Sequence, residues 1–136
     1  MEVLRYSSTV PLTIRATTTD VLLGDVLIPK DTVILGMFAE VLKGGHWDDG
    51  DVFRPSRFIN KEGNICDDEK FVPFGIGKRA CPGKYLAEME LFLYFTRIVQ
   101  LFDFHPLDEM NLPKETFTSG VGCTPTPFQL IISSRK

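Results

Sequence analysis

Residues 71–83 read F-V-P-F-G-I-G-K-R-A-C-P-G, and the rest of the chain is read outward from them. The stretch holds three glycines, two prolines, two phenylalanines and the adjacent cations Lys78 and Arg79, and it leads into the apolar run Leu86 to Phe102. That composition describes a tight loop entering a buried helix. Gly75 and Gly77 permit positive φ and close approach of the backbone to a flat ligand, while Gly83 relieves crowding just beyond the Cys81 sulfur. A helix beginning near Pro82 or Gly83 sets its positive end beside Cys81, because proline is tolerated in a first turn. The helix dipole and Arg79 both favour thiolate over thiol. Phe74 is placed to shield the sulfur, and Arg79 offers a fixed charge to a carboxylate of the ligand.

Other readings of Cys81 are available. A cysteine among apolar residues is usually a small buried hydrophobe, a reading that the specificity of the surrounding pattern makes weak for Cys81. A zinc site is unsupported, since Cys66, Cys81 and Cys123 form no C-x-x-C and neither His46 nor His105 has ligand-like spacing to them. Nucleophilic catalysis would need a histidine base, and nothing in the sequence sets one nearby.

The stretch resembles the cysteine-ligand loop of the cytochrome P-450 family, the haem-thiolate monooxygenases. The family pattern F-G-x-G-x-R-x-C-x-G is met by Phe74, Gly75, Gly77, Arg79, Cys81 and Gly83. The resemblance implies haem as cofactor, Cys81 as its proximal iron ligand, Arg79 as partner of a haem propionate and Phe74 as the aromatic beside the thiolate. Glu2 and Arg5, three apart on one helical face, resemble the family's E-x-x-R, and Pro55, Ser56, Arg57 and Phe58 resemble its P-x-R-F. A buried Glu2, Arg5, Arg57 network locking the proximal side of the haem pocket is therefore expected. Arg15 matches a basic position that contacts a propionate, although Ile14 stands where a proline often precedes it.

The totals set bounds. At 136 residues the chain fits one modest domain, and 43% hydrophobic content suffices for a core. A net charge of −3 argues against nucleic acid as a partner. Three irregularly spaced cysteines suggest a reducing compartment without a disulfide framework. No apolar run reaches transmembrane length. Met1 to Asp20, with seven Ser or Thr, loosely mimics a mitochondrial transit peptide, but the family match accounts better for the same residues.

Taken in order, Ser7 to Arg15 is an extended connection around Pro11. By the resemblance it runs along the substrate pocket, making Val10, Leu12 and Ile14 candidate substrate contacts, although core packing suits the same residues. Val21 to Leu23 and Val26 to Ile28 flank the turn Gly24-Asp25, and Val33 to Phe38 makes a third strand after a turn at Lys30-Asp31, giving one small antiparallel sheet. Leu42 to Asp51 is irregular. Family members often carry Asp-Pro where Lys43 and Gly44 stand, and proline where Gly50 stands, which implies a less rigid segment here. Trp47, Phe53 and Phe58 demand apolar cover for the loop that carries them. Asn60 to Glu69 is an acidic surface loop.

Lys70, Lys78, Arg79 and Lys84 follow without an intervening acid. They read equally as a solvated basic patch or, by the resemblance, as the face where Lys78 and Lys84 meet an electron donor, a flavoprotein reductase or small electron carrier. Leu91 to Phe95 is apolar at every position, so the helix after Cys81 is expected to be buried on most sides. A final strand covers Phe128 to Ser133, and the tip of the last hairpin, Val121, Gly122 and Cys123, is nominated for substrate contact by the resemblance.

The resemblance thus implies an α+β fragment of the mainly α cytochrome P-450 fold, with a small antiparallel sheet, cysteine-ligand loop, long buried helix and C-terminal hairpin. It implies the C-terminal haem-binding part of a monooxygenase, residues 1–136, without the oxygen-activating central helix or the N-terminal anchor. The implied reaction inserts one atom of O₂ into a small apolar substrate using electrons relayed from NADPH, a reaction this chain alone is not expected to complete. The implied setting is the cytoplasmic face of the endoplasmic reticulum membrane. A truncated, non-catalytic haem-binding or interaction module is the second reading.

Overall fold

The computed structural model describes residues 1–120 and 122–135, which fall into two compact units. The first comprises Met1–Pro73 with Ser119–Cys123, the second Phe74–Thr118 with Thr124–Lys136.

In the first unit, helix α1 spans Glu2–Ser7 and strand β1 Thr13–Ala16. Strands β2 (Val21–Leu23) and β3 (Val26–Ile28) form a hairpin with Leu23 opposite Val26, and Gly24 takes the positive φ of 57° that the turn requires. Strand β4, Val33–Gly36, pairs antiparallel with β1, setting Ile14 opposite Leu35 and Arg15 opposite Ile34. The expected single sheet is therefore two separate ribbons, and the end of the expected extended connection is a strand. Pro29 has no N–H to continue the β3 ladder. The turn around Asp31, with φ 63°, is instead tied to Thr17: Asp31 N–H donates to the Thr17 carbonyl and Thr17 N–H to that of Thr32.

Helix α2, Phe38–Lys43, replaces the end of the expected third strand. Ala39, Glu40, Leu42 and Lys43 are good helix formers, and burial of Leu42, 1% exposed, fixes the short helix in place. A 3₁₀ turn covers Pro55–Phe58. Among the described residues the buried apolar side chains are Leu42, Trp47 and Phe58, a smaller core than the composition suggested.

In the second unit a 3₁₀ turn at Gly77–Arg79 precedes helix α3, Lys84–Leu101, which passes directly into strand β5, Phe102–Pro106. β5 pairs antiparallel with β8, Leu130–Ser134, from Phe102 opposite Ser134 to Pro106 opposite Leu130. Strands β6 (Phe117–Ser119) and β7 (Cys123–Pro125), whose inner ends are counted with the first unit, pair with each other as expected of a C-terminal hairpin. The expectation of a buried helix is corrected: no side chain of α3 is buried, and Phe92 and Phe95 are 67% and 61% exposed. A helix whose middle, Leu91 to Phe95, is apolar at every position needs neighbours on every side, and the described residues do not supply them. No helix among the described residues is long and apolar enough to cross a membrane.

Candidate functional site

Glu2 and Arg5 meet because α1 sets them one turn apart. Arg5 Nε donates to Glu2 Oε2 at 2.7 Å and an Arg5 terminal nitrogen to Oε1 at 2.8 Å. The remaining Arg5 donors reach the carbonyls of Leu42, Gly50 and Val52, so a fully buried guanidinium has every direction filled. Arg57 Nε donates to Glu2 Oε1 at 3.1 Å, as does the Arg54 backbone N–H at 2.8 Å. Burial alone would raise the Glu2 carboxyl. The hydrogen bonds from Arg5, the Arg54 N–H and Arg57, with the attraction of Arg5, hold it below its ordinary 4.5.

The acidic loop after Trp47 serves this cluster with backbone oxygens. Asp48 and Asp49 carbonyls accept from Arg57, and Asp48 also accepts from Arg54, while the Arg54–Asp49 side-chain pair is loose at 3.7 Å. Gly44 and Gly50 are where this wrapping needs glycine. A Cβ on Gly50 would overlap the Lys43 carbonyl, and one on Gly44 the Glu40 carbonyl. The Gly-for-Pro difference therefore marks tight backbone contact in place of the looseness expected. Trp47 lies against the Arg5 and Arg57 guanidiniums at 5.4 and 5.9 Å and against Phe58 at 5.6 Å, and Phe58 meets Phe71 at 5.0 Å. Trp47 and Phe58 thus have the cover they demanded, whereas Phe53 stays 44% exposed beside Tyr6.

In the second unit the cysteine loop closes on itself: Cys81 N–H donates to the Phe74 carbonyl at 2.8 Å and Ala80 N–H to that of Gly77 at 3.1 Å. Gly75 and Gly77 hold φ of 72° and 68°, the left-handed region foreseen for them. Gly83 caps α3, so the helix begins three residues after Cys81. A Cβ there would lie 3.9 Å from the sulfur, an ordinary contact, so Gly83 is not required to relieve crowding at the thiol. Cys81 is a free, exposed thiol, Phe74 is half-buried and Arg79 is exposed, with no described side chain pairing with it. Open space over Gly77 and an unpaired soft ligand beside a free guanidinium fit a flat metal macrocycle bearing carboxylates. Lys78 is exposed, and Lys84 Nζ lies 4.0 Å from Glu88 across one helical turn.

The substrate candidates are partly brought together. Cys123 N–H donates to the Thr9 carbonyl at 2.8 Å, and a Cβ on Gly122 would sit 3.0 Å from the same oxygen, so the hairpin tip lies against the chain just before Val10. Val10, Leu12 and Ile14 are exposed, and Val121 lies outside the described residues. Arg15 turns its side chain onto the Ile14 carbonyl at 2.8 Å. Sequence reasoning missed the pairing of His46 Nε2 with both Asp68 oxygens, at 2.9 and 3.0 Å. Burial pulls the Asp68 carboxyl up, but hydrogen bonds from His46 and the Lys70 N–H hold it below its ordinary value. No motif spacing signals that pair.

Compared with known proteins, residues 1–132 match the family model for cytochrome P450. The chain is 41% identical over 137 aligned residues to a farnesoate epoxidase of Bombyx mori, covering 100% of this chain and 28% of that protein. It is 42% identical to cytochrome P450 2U1 of Bos taurus, covering 99% and 25%, and 38% identical to cytochrome P450 2C8 of Homo sapiens, covering 95% and 27%. The chain spans about a quarter of the length of these relatives.

Proposed function

The chain belongs to the cytochrome P450 family, and from that premise we propose that residues 1–136 are the C-terminal haem-ligating part of a monooxygenase. The observation that carries the reading is Cys81, an exposed free thiol at the head of α3 in a loop closed by the Cys81 N–H to Phe74 carbonyl bond. In this reading Cys81 is the axial iron ligand, Gly75 and Gly77 let the backbone lie close to the macrocycle, Phe74 limits water at the sulfur, and Arg79, with Arg15, neutralises propionates. Haem so held supplies the activation of O₂, a task that thiolate ligation favours.

The chain's own residues bind and orient. The Glu2, Arg5, Arg57 cluster, with Trp47 packed on it, holds the segment from which the cysteine loop departs. Val10, Leu12, Ile14 and the tip residues Gly122 and Cys123 line the site of an apolar substrate, a class that agrees with one relative's being named for farnesoate epoxidation. Lys78 and Lys84 face an acidic reductase or small electron carrier that relays electrons from NADPH. The parent protein sits on the cytoplasmic face of the endoplasmic reticulum membrane.

The test is the absorption spectrum of the purified chain given haem, reduced and exposed to carbon monoxide. A strongly red-shifted Soret band is expected, and Cys81→Ala abolishes it. A thiolate-type band that survives in Cys81→Ala sinks the assignment.

A further inference from the structure

His46 and Asp68 close a ring of contacts within the first unit. The His46 imidazole sits edge-on to the neighbouring Trp47 at 5.4 Å, Trp47 packs on Phe58 at 5.6 Å, and Phe58 on Phe71 at 5.0 Å. The Phe71 N–H donates to the Asp68 carbonyl at 2.9 Å, and the Asp68 carboxylate returns to His46 Nε2. The same carboxylate caps the turn by accepting the Lys70 N–H at 2.8 Å. One face of the junction between residues 46–47 and 68–71 is therefore aromatic and buried, and the other is ionic and partly exposed. Either contact alone would leave the two segments free to pivot about the other.

We propose that His46 and Asp68 are positioning residues, whose contact clasps the Trp47 loop to the Asp68–Phe71 turn and so fixes the point from which the chain runs into the cysteine loop. The turn lies immediately before that loop: Phe71 is two residues from Pro73 and three from Phe74. Among the described residues His46 is the one side chain bonded to the Asp68 carboxylate; the Lys70 charge acts on it only at a distance. Lys70 is turned to Glu69 at 3.5 Å, and the Asp48 carbonyl is committed to Arg54 and Arg57. The clasp is geometric. Its consequence for iron ligation rests on the haem-ligating reading above.

The experiment compares amide hydrogen exchange in the full chain and in His46→Ala, which removes the clasp while leaving every turn bond of Asp68 in place. The amides of Lys70 and Phe71 should exchange about two- to fivefold faster, the range open to a partly exposed ion pair, while the Arg5 amide is unchanged. His46→Gln, whose side-chain amide still donates to the carboxylate, should restore protection. Unchanged exchange at Lys70 and Phe71 in His46→Ala overturns the clasp. In the haem-loaded chain the same variant should lower the share of the thiolate-type Soret band, with recovery in His46→Gln. Faster exchange with an unaltered share overturns the positioning role. A wild-type chain lacking the band refutes the haem reading instead, and the exchange rates still decide the clasp.

Discussion

Glu2→Gln removes one charge and almost no volume from the buried cluster. The carboxylate takes Arg5 on both oxygens, at 2.7 and 2.8 Å, and Arg57 and the Arg54 N–H on Oε1. An amide turns a donor toward Arg5, which has no acceptor, and leaves two guanidiniums without an anion where Arg5 is wholly buried and the Arg57 side chain is 6% exposed. Breaking a buried ion pair from one side costs about 3–5 kcal/mol. With a urea m-value of about 2 kcal/mol/M, the unfolding midpoint falls by about 1.5–2.5 M. Trp47 is the chain's single tryptophan and touches both guanidiniums, so its fluorescence follows the transition at the cluster itself. A midpoint within about 0.3 M of wild type would refute the reasoning, because that shift corresponds to an exposed pair of the weak kind. Arg135→Ala, which removes only the exposed pair with Asp103, is the matched control and should leave the Trp47 transition in place.

The same cluster sets an acid limit. The Glu2 carboxyl lies below its ordinary 4.5 in the folded chain, so its contribution to stability is whole above that value and drains away as pH falls through the lower folded value; a pH titration of Trp47 fluorescence should show loss of structure in that window and none between pH 5 and 7. Gly50→Ala should destabilise the chain by about 1–3 kcal/mol, since its Cβ would overlap the Lys43 carbonyl, whereas Gly83→Ala should unfold at the wild-type urea concentration. On the proposed docking of an electron donor at Lys78 and Lys84, charge reversal at both in the haem-loaded chain should slow its reduction several-fold at low salt and little at high salt; stopped-flow rates that match wild type at low salt count against the docking face.

The parts of this protein legible in the sequence are those carried by short-range rules. Glycine at 24, 75 and 77 announces positive φ because other residues are strained there. Glu2 and Arg5 are neighbours by helical period alone, and the β2–β3 hairpin follows from Gly24-Asp25 between apolar runs. The existence of α3 follows from its apolar stretch Leu91 to Phe95 between charged ends, but its surroundings do not: burial depends on what packs against a helix, and the described residues leave Phe92 and Phe95 mostly exposed. The sequence by itself determined the family, through six residues at fixed spacing, and with it the expectation of a thiolate ligand at Cys81.

Only the tertiary structure decided which groups satisfy the buried arginines. The acids near Arg5 and Arg57 in the chain include Glu2, Asp48, Asp49 and Asp51, yet beyond Glu2 the bonds go to main-chain oxygens of residues 42 and 48–52. Every residue carries the same carbonyl, so nothing in residue identity marks which will turn inward. The exchange of β4 from the hairpin to β1 and the meeting of His46 with Asp68 across 22 residues have the same cause. Long-range pairing is selected by the packing of the whole unit, which no local pattern encodes.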